Sequence, residues 1–331
     1  MLDLTLLPIL ILAAPSVIPP FYLHAALSGR PSYSDIFLLC LGMQTPLSPT
    51  ALNEGEYPAV AAMTTGYVFR VENQAMVMFL QRVGRTGHLV TLEVVSDPAG
   101  ESGRRLTRPR FHMSFWISAL LLACGLRSVR ADWFLVSSVS LLLLSRLLSI
   151  ISLRAKTAPS WHGASEPGTE GDLLILLSQD RWVRMRGLVD DLKAVTSGSW
   201  LHEADNPVVM QAFEWTARVL VYLAVVILAN ATRENKMILL ADLFISHGVL
   251  VFSNAQTKGL RLNSRKINIS SNEGSIKSYN RRLDLAQDLV KEIGRSDWAI
   301  RLGIINPEEV DPASRGTESK YQDPEHEIVA M

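Results

Sequence analysis

Acidic side chains set inside apolar stretches are the residues of this sequence best placed to do chemistry. Asp242 lies within one apolar run, while Asp132 and Glu214 lie near the ends of two others. Burying a charge in hydrocarbon costs ~2.5–3.5 kcal/mol even on insertion-derived scales. Desolvation raises a carboxyl pKa, so a buried acid keeps its proton. A neutral acid of that kind can protonate a lipophilic substrate. His247 follows Asp242 by five positions, close to the same helical face but not on it. It either reprotonates the acid or sits as a satisfied interior histidine. Arg146 and Arg218 are the basic members of the set. A purely structural reading pairs Arg146 with a carboxylate on another helix, and Glu214 with Arg218 at i,i+4. Both readings stay open on the sequence alone.

Trp116, Trp133, Trp215 and Phe244 lie near these acids. Their ring faces can stabilise a carbocation and line a substrate pocket. Trp residues at span ends also serve as interfacial anchors, the stronger reading for Trp133 and Trp215. The Asp190-Asp191 pair has the look of a magnesium-diphosphate motif. No second acidic motif accompanies it, and adjacent helical residues diverge by ~100°. A solvated helix face accounts for it better. Cys40 and Cys124 are the two cysteines, 84 positions apart in apolar surroundings, and build no disulfide framework or metal site. The seven histidines show no ligand-pair spacing, and Gly163, Gly168 and Gly171 form no phosphate loop. No metal and no cofactor is expected.

The elements that must position these residues are apolar. Of 331 residues, 48% are hydrophobic and 19% charged, and the mean hydropathy is +0.18. Lys+Arg and Asp+Glu balance at 32 each, so no bulk charge draws the chain to nucleic acid. Residues 4–29, 111–126 and 219–232 contain no Asp, Glu, Lys or Arg. Such bunching indicates a membrane protein. Spans are expected over 4–26, 111–126, 132–153, 212–231 and 237–254. The first carries Pro8, Pro15, Pro19 and Pro20 and is kinked, or is signal-like.

The fold expected is therefore all-α and integral to the membrane. It has about five transmembrane helices, two hairpins plus an N-terminal span, with small cytosolic α or α/β segments. Residues 1–29 are the first span, 30–110 a soluble mixed region, 111–153 and 212–254 the hairpins. Residues 76–80 and 88–95 read as short strands or as a helix plus a strand. Residues 154–211 form a cytosolic amphipathic region, strand-like over 172–178. Trp182, Met185, Val189, Leu192 and Val195 then predict a helix over 180–195. That helix lies on the membrane surface or packs on its own small domain. The tail 255–305 is helical, with a helix over 281–293 closed by Gly294 and a shorter one from Ser296 to Gly303. Residues 306–331 are disordered. Basic flanks at 104–110, 154–156 and 258–266 place those segments in the cytosol, with an internal membrane such as the endoplasmic reticulum as host.

Two stretches carry a family resemblance. They are SWHGASEPGTEGDLLILLSQDRWVRMRGLVDDLKAVTSGSWL over 160–201 and SYNRRLDLAQDLVKEIGRSDWAIRLG over 278–303. Both resemble a widespread group of fungal integral membrane proteins, and the resemblance covers about 111–305. Members of the macrophorin and ascochlorin/ascofuranone type are membrane-bound terpene cyclases of meroterpenoid biosynthesis. The resemblance implies closure of the farnesyl chain of a lipophilic prenylated aromatic or quinol, by protonation of an olefin or terminal epoxide. It transfers no catalytic residue to a position here. Such a cyclisation needs a water-poor pocket, an acid and aromatic walls. The alternative is a non-catalytic membrane scaffold. Its amphipathic segments at 180–195 and 281–293 recruit cytosolic protein partners, and membrane lipids surround its spans. A cyclase brings Asp132, Glu214 or Asp242 to an enclosed apolar cavity; a scaffold ties its acids to basic partners.

Overall fold

A computed structural model of the chain describes residues 18–97, 132–158, 163–271 and 274–306. Before the first long helix come α1 (Pro20–Ser28), a 3-10 turn (Tyr33–Phe37) and α2 (Pro49–Leu52). They are followed by β1 (Ala59–Ala62), β2 (Val68–Arg70), α3 (Gln74–Val83) and β3 (His88–Ser96). The long helix α4 (Trp133–Lys156) leads to β4 (Glu170–Leu177), β5 (Arg181–Leu188) and α5 (Val189–Thr196). Two more long helices are α6 (Pro207–Leu228) and α7 (Arg233–Gln256). The chain then forms β6 (Gly259–Leu262), β7 (Arg265–Ile269), β8 (Ile276–Ser278), α8 (Arg282–Ile293) and α9 (Asp297–Arg301).

The all-α expectation is overturned by an eight-stranded mixed sheet, ordered β2-β1-β4-β5-β3-β7-β6 with β8 also paired to β3. Only β3 and β5 run parallel, Leu89 opposite Trp182 through Glu93 opposite Arg186. The other pairs are antiparallel. The strand-like reading of 172–178 holds as β4, while the sheet around it was not expected. Leu173, Ile175 and Leu177 pack on one layer of helices, while Leu174 and Leu176 pack on the other. A strand buried on both faces is continuously apolar and carries no alternation. The helix expected over 180–195 is in fact β5 followed by α5. Trp182 and Met185 happen to fit helical spacing but point to opposite faces of the sheet.

On one face, Leu285, Ala286 and Leu289 of α8 and Trp298 of α9 cover Ala61, Leu89, Leu174 and Trp182. The α8 helix ends where expected, at Gly294 with φ 77°, a left-handed stop that favours glycine. Arg184 reaches out of β5 to lock α8 down. Its guanidinium, 7% exposed, bonds Asp172 at 2.5 Å and Glu292 at 2.7 Å. The opposite face packs Val60, Leu92, Ile175, Val183 and Met185 against Phe21, Phe79 and Leu192.

Three described helices, α4, α6 and α7, are long and apolar enough to cross a membrane, with mean hydropathies of 2.1, 1.5 and 1.6. They stand where spans are expected over 132–153, 212–231 and 237–254, with shifted ends. The span expected over 111–126, most of 4–26 and nearly all of the tail 306–331 lie outside the described residues. The helix α1 packs beneath β6 and beside α7.

The long helices meet through small polar residues. Ser138, Ser145 and Ser152 recur every seven positions on α4. Ser138 donates to the Ala224 carbonyl at 2.9 Å and Ser145 to the Ala217 carbonyl at 2.7 Å. Ser152 donates to Glu214 Oε1 at 2.7 Å. Ala217 and Ala224 are buried opposite, and small residues let the backbones approach closely. Removing one such bond by Ser145→Ala should cost about 0.6 kcal/mol. Ser145→Leu should cost ~1–3 kcal/mol by overpacking. Denaturant titration of the full chain in mild detergent measures both, and the order of the two variants is the outcome at stake.

Candidate functional site

The predicted acids do not converge. Asp132 caps α4, its Oδ1 accepting from the Phe134 amide at 3.0 Å. Its Oδ2 accepts from the Thr232 amide at 3.1 Å and Asn235 Nδ2 at 2.8 Å, joining the start of α4 to the α6–α7 turn. Burial pushes this carboxyl up, but the bonds from Thr232, Asn235 and Phe134 outweigh it, and the group titrates below its ordinary value. A carboxylate held ionised cannot act as an acid. Glu214 lies at the other end of the bundle, where its Oε1 accepts from Lys156 Nζ at 2.6 Å as well as from Ser152. Twenty residues of α4 separate Asp132 from Ser152, which is about 30 Å of helix.

Asp242 is buried in α7 about two turns from the Asp132 end, and its Oδ1 has no partner among the described residues. His247 also has a buried Nδ1 without a partner, and no hydrogen bond joins it to Asp242. The expected aromatic walls are turned outward: Trp133 is 75% exposed, Trp215 62% and Phe244 48%. Those rings lie on the outer surface of the helices. Trp116 lies outside the described residues.

Arg146 departs from its expected ion pair. It is buried, but its Nε donates to the main-chain carbonyl of Asp35 at 3.3 Å, and its guanidinium sits 3.1 Å over the Phe21 ring. One Nη has no partner among the described residues. Arg218 does meet Glu214, but through the main chain, Nε to the Glu214 carbonyl at 3.2 Å. The Asp190-Asp191 pair is structural rather than a solvated face. Asp191 is buried and holds Ser96 and Arg265, while Asp190 accepts from Ser165 Oγ and the Glu166 amide, each at 2.7 Å.

What the structure does assemble is a cavity of about 200 Å³ where the sheet-bearing head meets the spans. Tyr22, Ser149, Lys156, His202, Glu214 and Arg218 line it, with Met43 and Leu47 on the apolar side. Of these, only Glu214 and Arg218 were legible as a site in the sequence. Lys156 reads there as a flanking charge, and His202 lies in a loop with no motif around it. The arrangement can hold a polar group against cations at the edge of an apolar bundle. Its one carboxylate inside the bundle, Glu214, is ion-paired with Lys156.

Compared with family models, curated proteins and solved structures, the chain matches none.

Asp132→Ala removes a cap and the tie to the α6–α7 turn. It should destabilise the bundle by about 1–2 kcal/mol. Hydrogen exchange should speed up at 229–236 and leave α8 unchanged; uniform speeding would place Asp132 outside this local role.

Proposed function

We propose that the chain is a non-catalytic membrane platform. In this reading α4, α6 and α7 anchor it, and the sheet head stands on the cytosolic face of an internal membrane such as the endoplasmic reticulum, where it holds soluble protein partners. One observation carries the reading: the ends of the spans are bonded into the head. The Lys156 carbonyl accepts from the His202 amide at 3.0 Å, and Arg154 Nη1 donates to the Pro31 carbonyl at 2.6 Å. Arg82 Nη2 donates to the carbonyls of Asn254 at 2.7 Å and Ala255 at 2.6 Å. Asn254 in turn donates to the Pro20 carbonyl at 2.7 Å. A head held this way keeps one height and one orientation over the bilayer. Charge supports the orientation. Arg154, Lys156, Lys258, Arg261, Arg265 and Lys266 flank the head ends of the spans, against Arg233 and Lys236 at the far turn. The platform also requires an even number of crossings between β3 and β4, since both belong to one sheet; α4 supplies one.

Asp242 favours a second reading. It is the one predicted acid whose buried oxygen lacks a partner among the described residues. A terpene cyclase acting on a farnesylated quinol, as the resemblance to fungal membrane cyclases implies, would have to use it, because Asp132 and Glu214 are already engaged.

The full chain, wild type or Asp242→Asn, can be expressed in a host that makes a farnesylated phenol, and the lipids read by mass spectrometry and NMR. The platform predicts no cyclised isomer from either. A cyclised isomer of unchanged mass overturns it; loss of that isomer in Asp242→Asn would identify the acid. In sealed vesicles, a cysteine at Lys266→Cys should react from the cytosolic side and one at Arg233→Cys only after permeabilisation. The reverse pattern would invert the orientation.

A further inference from the structure

The wall of the cavity at the junction of head and spans carries Lys156 and Arg218 with Glu214 and Glu203, and Arg218 is left without an ion pair among the described residues. Lys156 and Glu214 satisfy each other. Arg218, on the next turn of α6, forms no ion pair among the described residues; its recorded bond is to a main-chain carbonyl. Arg146 lies one turn along α4 from Ser149, stacked on Phe21, the ring adjacent to Tyr22, and it too has no carboxylate partner. Glu203 is the cavity's other acid, and it is exposed at the rim. The Nδ1 of His202 is buried in the wall without a partner. A guanidinium without a carboxylate partner at the edge of hydrocarbon is costly unless an anion meets it.

The cavity also continues along the bundle. Gln211, Glu214 and Arg218 line both it and a shallow groove on the outer side of α6, which takes in Val208 and Trp215. Below that groove Val219, Tyr222, Leu223 and Val226 form an exposed apolar stripe. These positions recur at helical spacing on one face. A polar pocket opening onto an apolar stripe has the shape of an amphiphile with one head and an extended chain.

We propose that this junction is the headgroup site of a single anionic phospholipid, its phosphate on Arg218 and Lys156 and an acyl chain along the α6 stripe. A guanidinium beside an ammonium suits a phosphate through short charge-assisted bonds. About 200 Å³ admits a phosphate with its glycerol but not a second lipid head. The site depends on α4 and α6 spanning a bilayer and on neither functional reading above, so a cyclase result would leave it untouched.

The test uses the delipidated full chain in a neutral detergent. Native mass spectrometry and thermal unfolding are followed while phosphatidylserine, phosphatidylcholine or inorganic phosphate is added. One phosphatidylserine per chain should bind and raise the Tm, at least tenfold more tightly than phosphatidylcholine, with phosphate alone inert. Arg218→Gln should weaken phosphatidylserine at least tenfold, whereas Arg218→Lys keeps most of the affinity and Arg233→Gln, at the far turn, keeps all of it. Equal binding of the two lipids, or an Arg218→Gln variant that is folded and binds normally, overturns the site. Stabilisation by inorganic phosphate equal to that by lipid overturns the phospholipid as its occupant. Should Arg218→Gln not fold, His202→Ala with Lys156→Gln reports on the same pocket, and undiminished phosphatidylserine binding there overturns the proposal.

Discussion

The structure depends on one polar stripe down an otherwise apolar helix. Hydrocarbon offers no water, so a hydroxyl placed in it has to find an acceptor in its own helix or a neighbouring one. Ser138, Ser145 and Ser152 meet that demand by recurring every seven residues and facing Ala224, Ala217 and Glu214 of α6. A seven-residue repeat keeps one face of α4 against one face of α6 for its whole length and favours a shallow crossing. The same helix carries Arg146 to the 3-10 turn through the Asp35 carbonyl, and Arg154 to Pro31 just ahead of it. The position of the N-terminal segment under the sheet is thus inherited from α4.

That arrangement also explains why Asp132 and Glu214 do not come together. Polar groups at the two ends of the bundle are used to fasten it: Asp132 closes the far turn, and Glu214 with Lys156 closes the head end. Antiparallel helices put such fastenings a full helix length apart. Trp133, Trp215 and Phe244, freed from any internal pocket, lie on the outer surface of the helices. What is left unneutralised, Arg146 and Arg218, lies close to the junction of head and spans.

Sequence patterns spoke clearly for some elements and misled for others, and the difference is physical. The spans α4, α6 and α7 were legible because twenty apolar residues have few other destinations. The α8 helix was legible because it has one dry face and a glycine stop at Gly294. Of the sheet, the continuous apolar run of β4 was legible as strand-like, but β5 was not: Arg184 within it looks like a surface charge until Asp172 and Glu292 are seen closing around it. β6 and β7 are short, joined by Asn263 and Ser264, both at positive φ. The other partner of β7 is β3, far away in the sequence, which local periodicity does not report. Of the site, Glu214 and Arg218 could be picked out as charges in an apolar run. Their separation from Asp132 follows from which helix faces which, and no single-helix pattern contains that.

The sheet draws its strands from three separate stretches of chain: β1 to β3 before α4, β4 and β5 between α4 and α6, and β6 to β8 after α7. β3 sits in the middle, and each of its neighbours is made later than it is. During synthesis one of its edges waits open for β5, beyond α4, and the other for β7 and β8, beyond α7. Order of synthesis therefore becomes order of assembly. The head cannot finish before the last long helix is made, and a ribosome pausing after β3 leaves that strand unpaired on both edges. Long-range pairing of this kind is slow and prone to aggregate. For a cell, the burden of this protein falls on its biogenesis, in the interval between the first strands and the last.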